Sequence, residues 1–229
     1  MTRHVRPNLT EITTILRKHV GLIVHFSGTP KGAGSDFQHR YPDDLHAVIS
    51  GYGQSGLSCS VVMPTDEFED LNSANATGCI GVILGLKSEQ SIVDAHPNDC
   101  GSSMVNGVRE TPHARDMSAA DIDATVTGRS DSEYNEWVIA GYDVLGVLAV
   151  APYRISADQP ISFPADMPDY LRSSAMSPGF RYLSIDEIVQ AFPDQPIFSF
   201  VAGGTVRLDS GNWTPVEHEE LYPYERAGL

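Results

Sequence analysis

Glu136 combines a residue type and a position that indicate chemistry. It opens the apolar run EWVI, directly after a polar loop that contains Arg129. A carboxylate at the mouth of a buried strand is partly desolvated, and it can hold a ribose hydroxyl or stabilise an oxocarbenium-like centre. The position therefore predicts glycosyl-transfer chemistry. The simpler interpretation is an exposed carboxylate at the end of a strand.

A second polar group ends the short apolar run at residues 22–26. His25, Phe26 and Ser27 stand together there, and Gly28 begins the polar loop that follows. His25 and Ser27 are two positions apart, so in an extended strand their side chains face the same side. An imidazole and a hydroxyl in that arrangement can bind a ribose or an amide group. The alternative is a strand-end histidine whose ring is satisfied by a backbone group.

The remaining reactive residue types form no strong motif. The stretch GTPKGAGS at residues 28–35 has glycines and a lysine that suit a phosphate, but it lacks the P-loop pattern. The 8 histidines include no HExxH motif and no pair at i and i+4, so no metal site is predicted. The 3 cysteines lack CxxC spacing and are interpreted as reduced thiols.

Apolar spacing predicts the elements that must position these residues. A helix is expected from Thr10, with Asn8 or Thr10 itself as its cap, and a second helix over residues 43–50 after Pro42. Strands are expected at residues 22–26, 57–63 and 79–86. Residues 95–117 lack a period and are rich in turn formers, which predicts a long loop before a helix near residues 118–124.

The second half of the chain is predicted to be richer in strands. Two strands are expected around Gly141, and Ser184 with Glu187 forms a capping box that starts a helix. The runs IFSFVAGG and TVRLDSGNWTPV predict a strand pair with a turn at residues 209–211. Residues 217–229 are charged and are expected to be a flexible tail. Because no linker divides the chain, residues 1–229 are predicted to form a single α+β domain.

Composition restricts the partners of the protein. The 15 Lys and Arg residues against 30 Asp and Glu residues give a formal charge of −15, which disfavours broad nucleic-acid binding. The N-terminus has no apolar core of signal-peptide length, and no apolar stretch approaches a membrane span. A cytoplasmic location without a membrane partner is therefore expected.

These motifs together resemble the DarT-like branch of the ADP-ribosyltransferase superfamily. The segment HFS at residues 25–27 is similar to the H-x-T or H-x-S strand of that family, and DLHAVIS with GL at 56 and 57 is similar to its following helix. The segment NEWVIAGYDVLGVLAV at residues 135–150 is similar to the strand that begins with the catalytic Glu. The likeness covers roughly residues 20–150, and an insertion at residues 28–41 departs from the family pattern.

The resemblance implies a fold and a reaction. The fold would be a pair of bent, mainly antiparallel sheets with flanking helices, with NAD as the substrate cofactor. Glu136 would activate transfer of ADP-ribose, and His25, Phe26, Ser27 and Gly28 would bind NAD. Arg40 and Arg129 are the candidates for the catalytic arginine. The acceptor would be a nucleobase, a protein or a small molecule, in a toxin or a phage or antiphage effector.

Two alternatives remain open from the sequence. An NAD glycohydrolase on the same fold would use water as its acceptor. A non-enzymatic inhibitor or interaction protein would instead use its acidic surface to occupy a basic partner.

Overall fold

The computed structural model describes residues 6–27, 41–66, 80–98, 104–105, 108–109, 113–127, 135–151, 153–156 and 180–223. Over these residues the chain has a large mixed sheet of 9 strands and a few helices, which confirms the predicted α+β class. The helices are α1 (Leu9–His19), α2 (Asp43–Ile49), α3 (Ala119–Thr127), α4 (Ile185–Ala191) and α5 (His218–Leu221). Two 3-10 turns lie at Glu89–Ser91 and Ala114–Asp116.

The strands are numbered in chain order. They are β1 (Leu22–Phe26), β2 (Leu57–Val62), β3 (Ile80–Leu86), β4 (Ile92–His96), β5 (Met104–Val105), β6 (Val108–Arg109), β7 (Glu136–Ile139), β8 (Tyr142–Ala149), β9 (Arg154–Ser156), β10 (Phe180–Tyr182), β11 (Ile197–Val201), β12 (Gly204–Asp209) and β13 (Asn212–Val216).

The large sheet has the strand order β13-β12-β11-β8-β3-β1-β2-β7-β4. The pair β8–β11 is parallel and the other neighbouring pairs are antiparallel, so the sheet is mixed. Strands β5 with β6 and β9 with β10 form two small antiparallel pairs. The order brings β1, β2 and β7 side by side, although they are far apart in sequence.

Strand β2 divides its pairing between its two neighbours. Residues 60–62 are in register with β1, whereas residues 57–59 are in register with β7. The two halves of the sheet therefore meet within β2, close to Ser58 and Ser60.

Local sequence signals account for the helix ends. Asn8 caps α1, since its side chain accepts a hydrogen bond from the amide of Glu11 while Glu11 bonds back to the amide of Asn8. The predicted box of Ser184 and Glu187 likewise begins α4. Helices α2 and α3 also begin close to their predicted positions.

The strand predictions need two corrections. The expected loop at residues 95–117 instead contains the end of β4, two short strands and a 3-10 turn, because β4 pairs with β7 across a long sequence separation. The expected C-terminal strand pair is three strands, since β12 and β13 form a second hairpin. Its turn has φ of 49° at Ser210 and 83° at Gly211, which matches the predicted turn position.

The flexible tail predicted at residues 217–229 is wrong for residues 217–223. Leu221 and Tyr222 are buried, and His218 is 7% exposed. The Tyr222 hydroxyl accepts a hydrogen bond of 2.9 Å from the Ile23 amide and donates one of 2.9 Å to the Leu84 carbonyl. Tyr222 thus links β1 to β3, next to the irregularity of β3 between Ile83 and Leu84. The charged residues around Tyr222 hid this buried contact from the sequence analysis. Residues 224–229 lie outside the described residues.

Candidate functional site

Three adjacent strands bring His25, Ser58 and Glu136 together. His25 is near the end of β1, Ser58 is in β2, and Glu136 is the first residue of β7. Ser58 Oγ donates a hydrogen bond of 2.5 Å to Glu136 Oε1. His25 Nδ1 is 2.8 Å from the Ser58 carbonyl oxygen. Because a carbonyl can only accept, this bond requires the proton on Nδ1. Ser58 thus contacts both residues that the sequence singled out.

The strand register assigns these side chains to faces of the sheet. Ser58 is opposite Val138, and side chains two positions apart share a face, so Ser58 and Glu136 leave the sheet on the same side. Phe26 shares that side, since Val24 is opposite Ser60. His25 leaves on the other side, and its ring bonds the Ser58 carbonyl at the end of β1. Ser58 is exposed, whereas His25, Phe26 and Glu136 are half-buried.

The residues on either side of Glu136 fix the start of β7. Asn135 is fully buried, and its side-chain amide accepts a bond of 2.6 Å from the Val61 amide and donates one of 3.1 Å to the Val61 carbonyl. Trp137 is also buried, and its Nε1 donates a bond of 2.8 Å to Thr125 Oγ1 in α3. The side chains of Asn135 and Trp137 both bond to buried partners, so the Glu136 backbone between them has a defined position.

Strand β4 adds a second polar group beside Glu136. His96 is opposite Glu136 in the register and is 0% exposed. Its Nε2 lies 3.3 Å from Asp94 Oδ1, and Asp94 Oδ2 lies 3.5 Å from His113 Nδ1. A buried carboxylate between two imidazoles therefore adjoins the strand of the candidate acid.

The electrostatics of this region make Cys59 an inert thiol. Burial is the main cause that raises the pKa of Cys59 well above its usual value, and the charge of Glu136 raises it further. Burial also raises the pKa of Tyr142 to about 12, with a smaller contribution from Cys59. A thiol that stays protonated is a poor nucleophile. Cys79 and Cys100 lie outside the described residues.

The other predicted site residues have different positions. Ser27 is 1% exposed, and its backbone amide donates a bond of 2.8 Å to the Ile80 carbonyl. Its hydroxyl is therefore covered, and Ser58 is the exposed hydroxyl beside Glu136. Gly28, Arg40 and Arg129 lie outside the described residues.

Sequence reasoning missed Ser58, Asn135 and His96 as parts of this site. Ser58 belongs to the run LSCSVV, where Ser58 and Ser60 alternate with Cys59 and Val61. A period-2 pattern of hydroxyls in an otherwise apolar strand is a signal for one polar face. No local signal indicated that β2 and β4 would be the two neighbours of β7.

Two of the cavities in the structure are lined by described residues. One, of about 340 Å³, is lined by residues that include Lys87, Asp143 and Tyr222. The other, of about 360 Å³, is lined by Arg6, Gln90, Ile92, Val93, His113 and Arg115. Across the described residues, no group of three or more His, Cys, Asp or Glu side chains is arranged to hold a metal ion.

Comparison with models of protein families, with curated proteins and with solved structures found no match to this chain. In the part of the chain that the structure describes, no helix has both the length and the apolar character needed to cross a membrane.

Proposed function

We propose that this chain is an NAD-consuming ADP-ribosyltransferase in which Glu136 is the catalytic carboxylate. The single observation that carries the proposal is the 2.5 Å hydrogen bond from Ser58 Oγ to Glu136 Oε1 on an exposed part of the sheet. The hydroxyl fixes one oxygen of the carboxylate, as a positioned catalytic group requires. The HFS and NEWVIAG segments that resemble ADP-ribosyltransferases belong to β1 and β7, the two neighbours of the strand that carries Ser58.

The pairing of β2 supports the proposal at the level of the fold. The expected arrangement is two bent sheets with NAD in the cleft between them. Strand β2 pairs with β1 through residues 60–62 and with β7 through residues 57–59. It is therefore suited to be the strand at which two such sheets join. Ser58 lies on that strand, in contact with His25 on one side and Glu136 on the other.

The proposed reaction exchanges one glycosidic bond for another. The bond between the ribose anomeric carbon and nicotinamide breaks, and nicotinamide leaves with the electron pair. The anomeric carbon develops positive charge, which the Glu136 carboxylate stabilises more in the transition state than in the ground state. The acceptor then forms a bond to that carbon and transfers its proton to the Glu136 carboxylate. Ser58 keeps the carboxylate oriented during both steps.

Phe26 and His25 are two of the residues proposed to bind NAD. Phe26 is half-buried on the same side of the sheet as Glu136, so its ring can form one wall for the nicotinamide ribose. The His25 imidazole is held at the end of β1 by the Ser58 carbonyl and leaves the sheet on the other side, so its contact with NAD stays a prediction. The contributions of Gly28, Arg40 and Arg129 stay predictions.

The test is incubation of the chain with labelled NAD and cell extract. We expect wild type to transfer label to an acceptor, and Glu136→Gln to lose activity by about 10²-fold to 10⁴-fold, as for removal of a positioned acid or base. The matched control is Glu219→Gln, a surface glutamate whose partner is Arg17. Equal labelling by wild type and Glu136→Gln rejects the proposal.

The same experiment separates the alternatives. Without extract, rapid release of free ADP-ribose identifies water as the acceptor and favours an NAD glycohydrolase. If NAD is untouched while reversal of surface acids abolishes the biological effect, the chain is an acidic inhibitor.

A further inference from the structure

The cavity of about 360 Å³ beside β4 has an unusual lining for this chain. Its walls are Arg6, Gln90, Ile92, Val93, His113 and Arg115, and we call this cavity the arginine pocket. The chain has 30 acidic residues against 15 lysines and arginines, yet none of the described lining residues is acidic. The other cavity, of about 340 Å³, contains Asp143 beside Lys87. The contrast indicates a local site for an anion on an acidic protein.

Arg6 is fixed in the wall of the arginine pocket. One terminal nitrogen, Nη2, donates bonds of 2.6 Å to the carbonyl oxygens of Glu89 and Ile92. A guanidinium has five N–H donors in a planar fork, so the donors on Nε and Nη1 remain for a ligand. Because two backbone carbonyls already hold the group, ordering it on a ligand costs little conformational entropy.

Arg115 and His113 contribute another part of the lining. The Arg115 side chain is 70% exposed, and its Nε is 3.4 Å from the carboxylate of the next residue, Asp116. The His113 side chain is 46% exposed, and its Nδ1 is 3.5 Å from Asp94, a carboxylate that is 6% exposed. Asp94 is therefore behind the imidazole. The neighbouring carboxylates orient Arg115 and His113 from outside the lining.

The rest of the lining is apolar or neutral. Val93 is 44% exposed, which is high for a valine within a strand, and Ile92 is buried beside it. Val93 is at the irregularity of β4, where the register with β7 shifts between Ile92 and Asp94. A β-bulge turns a side chain out of the ladder and is common near functional sites. Gln90 adds an amide with both a donor and an acceptor.

We propose that the arginine pocket binds a small phosphate ester. Arg6 and Arg115 contact the phosphate oxygens, since the planar fork of a guanidinium matches a phosphate in bidentate geometry. The organic part of the ligand packs against Ile92 and Val93. The volume is in the range of pockets that hold small organic ligands.

The arginine pocket is connected to the candidate catalytic strand. Ile92 is opposite Ile139 and His96 is opposite Glu136, so the pocket and Glu136 adjoin the two ends of the same strand pair. Ile92 and His96 are four positions apart in β4, which corresponds to roughly 13 Å along the strand. The proposal of a phosphate site does not depend on ADP-ribosyl transfer, because binding is measured without NAD.

The experiment is a calorimetric titration of the full chain with adenosine monophosphate at low ionic strength, with adenosine as the ligand that lacks phosphate. Arg115→Gln is the main variant, because this exposed side chain can be changed without loss of a buried contact. Lys87→Gln is the matched control, since it removes one positive charge beside the other cavity. Arg6→Lys tests the guanidinium fork while it keeps the charge, with thermal unfolding as the check on folding.

We expect wild type and Lys87→Gln to bind adenosine monophosphate equally, and Arg115→Gln to bind it at least about tenfold more weakly. Arg6→Lys is expected to weaken binding as well, because an ammonium lacks the planar fork that lets a guanidinium hold the carbonyls and bind a phosphate in bidentate geometry. Inorganic phosphate should displace the nucleotide. The proposal is overturned if adenosine binds as well as its phosphate ester, if phosphate does not compete, or if Arg115→Gln and Lys87→Gln bind alike.

Discussion

Ser58 donates a hydrogen bond of 2.5 Å to Glu136, from a residue 78 positions earlier in the chain. The bond crosses from β2 to β7, and the backbone carbonyl of Ser58 accepts the bond from His25 in β1. One serine therefore joins the two residues in which the sequence indicated chemistry. If the proposed activity is correct, it should therefore depend on the Ser58 hydroxyl.

Removal of the Ser58 hydroxyl should impair turnover more than substrate binding. In Ser58→Ala the Glu136 carboxylate loses the donor that fixes Oε1, and a misoriented catalytic group costs up to roughly a hundredfold in rate. Steady-state kinetics of NAD consumption should show a lower kcat with a smaller change in KM. Ser58→Thr retains a hydroxyl in a strand position that suits a β-branched residue. We expect it to restore much of the rate, and a threonine variant as slow as the alanine one would contradict the positioning role.

Loss of the Asn135 amide should destabilise the whole protein. Asn135→Ala leaves the amide and the carbonyl of Val61 without their side-chain partner in a buried strand. Each buried unsatisfied group costs about 1–3 kcal/mol, so urea denaturation should give a markedly lower free energy of unfolding. Asn212→Ala, in an exposed hairpin position, is the control and should change stability little. Similar unfolding midpoints for the two variants would argue against this anchor.

A methyl group at Gly81 should disturb the strand that carries His25. A Cβ at this position would lie 2.5 Å from the His25 carbonyl oxygen and 2.5 Å from a Val24 methyl group, so backbone must move. Overpacking of this kind costs about 1–3 kcal/mol. Gly204→Ala is matched to it, because a Cβ there meets nothing within 4 Å. Thermal unfolding should separate the two variants clearly, and a Gly81→Ala protein as stable as Gly204→Ala would refute the close approach of β1 and β3.

Tyr222→Phe should weaken the attachment of the C-terminal segment. The ring stays buried while the Ile23 amide and the Leu84 carbonyl lose their shared partner. The expected loss of stability is about 1–3 kcal/mol, and the amide of Ile23 should exchange faster with deuterium. Tyr52→Phe, whose side chain is 47% exposed, is the control. Unchanged protection at Ile23 would show that the hydroxyl does not hold the strands together.

His218 should make the protein less stable in mild acid. Burial is the main cause that lowers the pKa of His218 below its usual value of 6.5, and its hydrogen bond to the Gly21 carbonyl opposes this only in part. The unfolded chain therefore binds the proton more readily than the folded one. The contribution of neutral His218 to the free energy of unfolding is fully present above about pH 6.5. It is lost as the pH falls toward the pKa of His218 in the folded protein. His218→Gln cannot titrate, so its free energy of unfolding should vary less than that of wild type between about pH 7.5 and about pH 5.5. Identical profiles would contradict the prediction.

Short-range patterns in the sequence predicted the elements that local chemistry controls. The Asn8 cap, the box of Ser184 and Glu187, and the apolar runs of β1, β2 and β3 were recognisable because capping and alternation act within a few residues. The same reasoning selected His25 and Glu136 as polar residues at strand ends. It failed at residues 217–223, where charged neighbours concealed the buried Leu221 and Tyr222.

The sequence by itself determined the α+β class and two of the three residues of the candidate site. Tertiary structure alone decided that β2 lies between β1 and β7, and with it the role of Ser58. The same is true of the arginine pocket, whose Arg6 and Arg115 come from distant segments. Strand order depends on contacts between residues far apart in the chain, and these contacts form only when many apolar faces are buried together. No local period records which strands become neighbours.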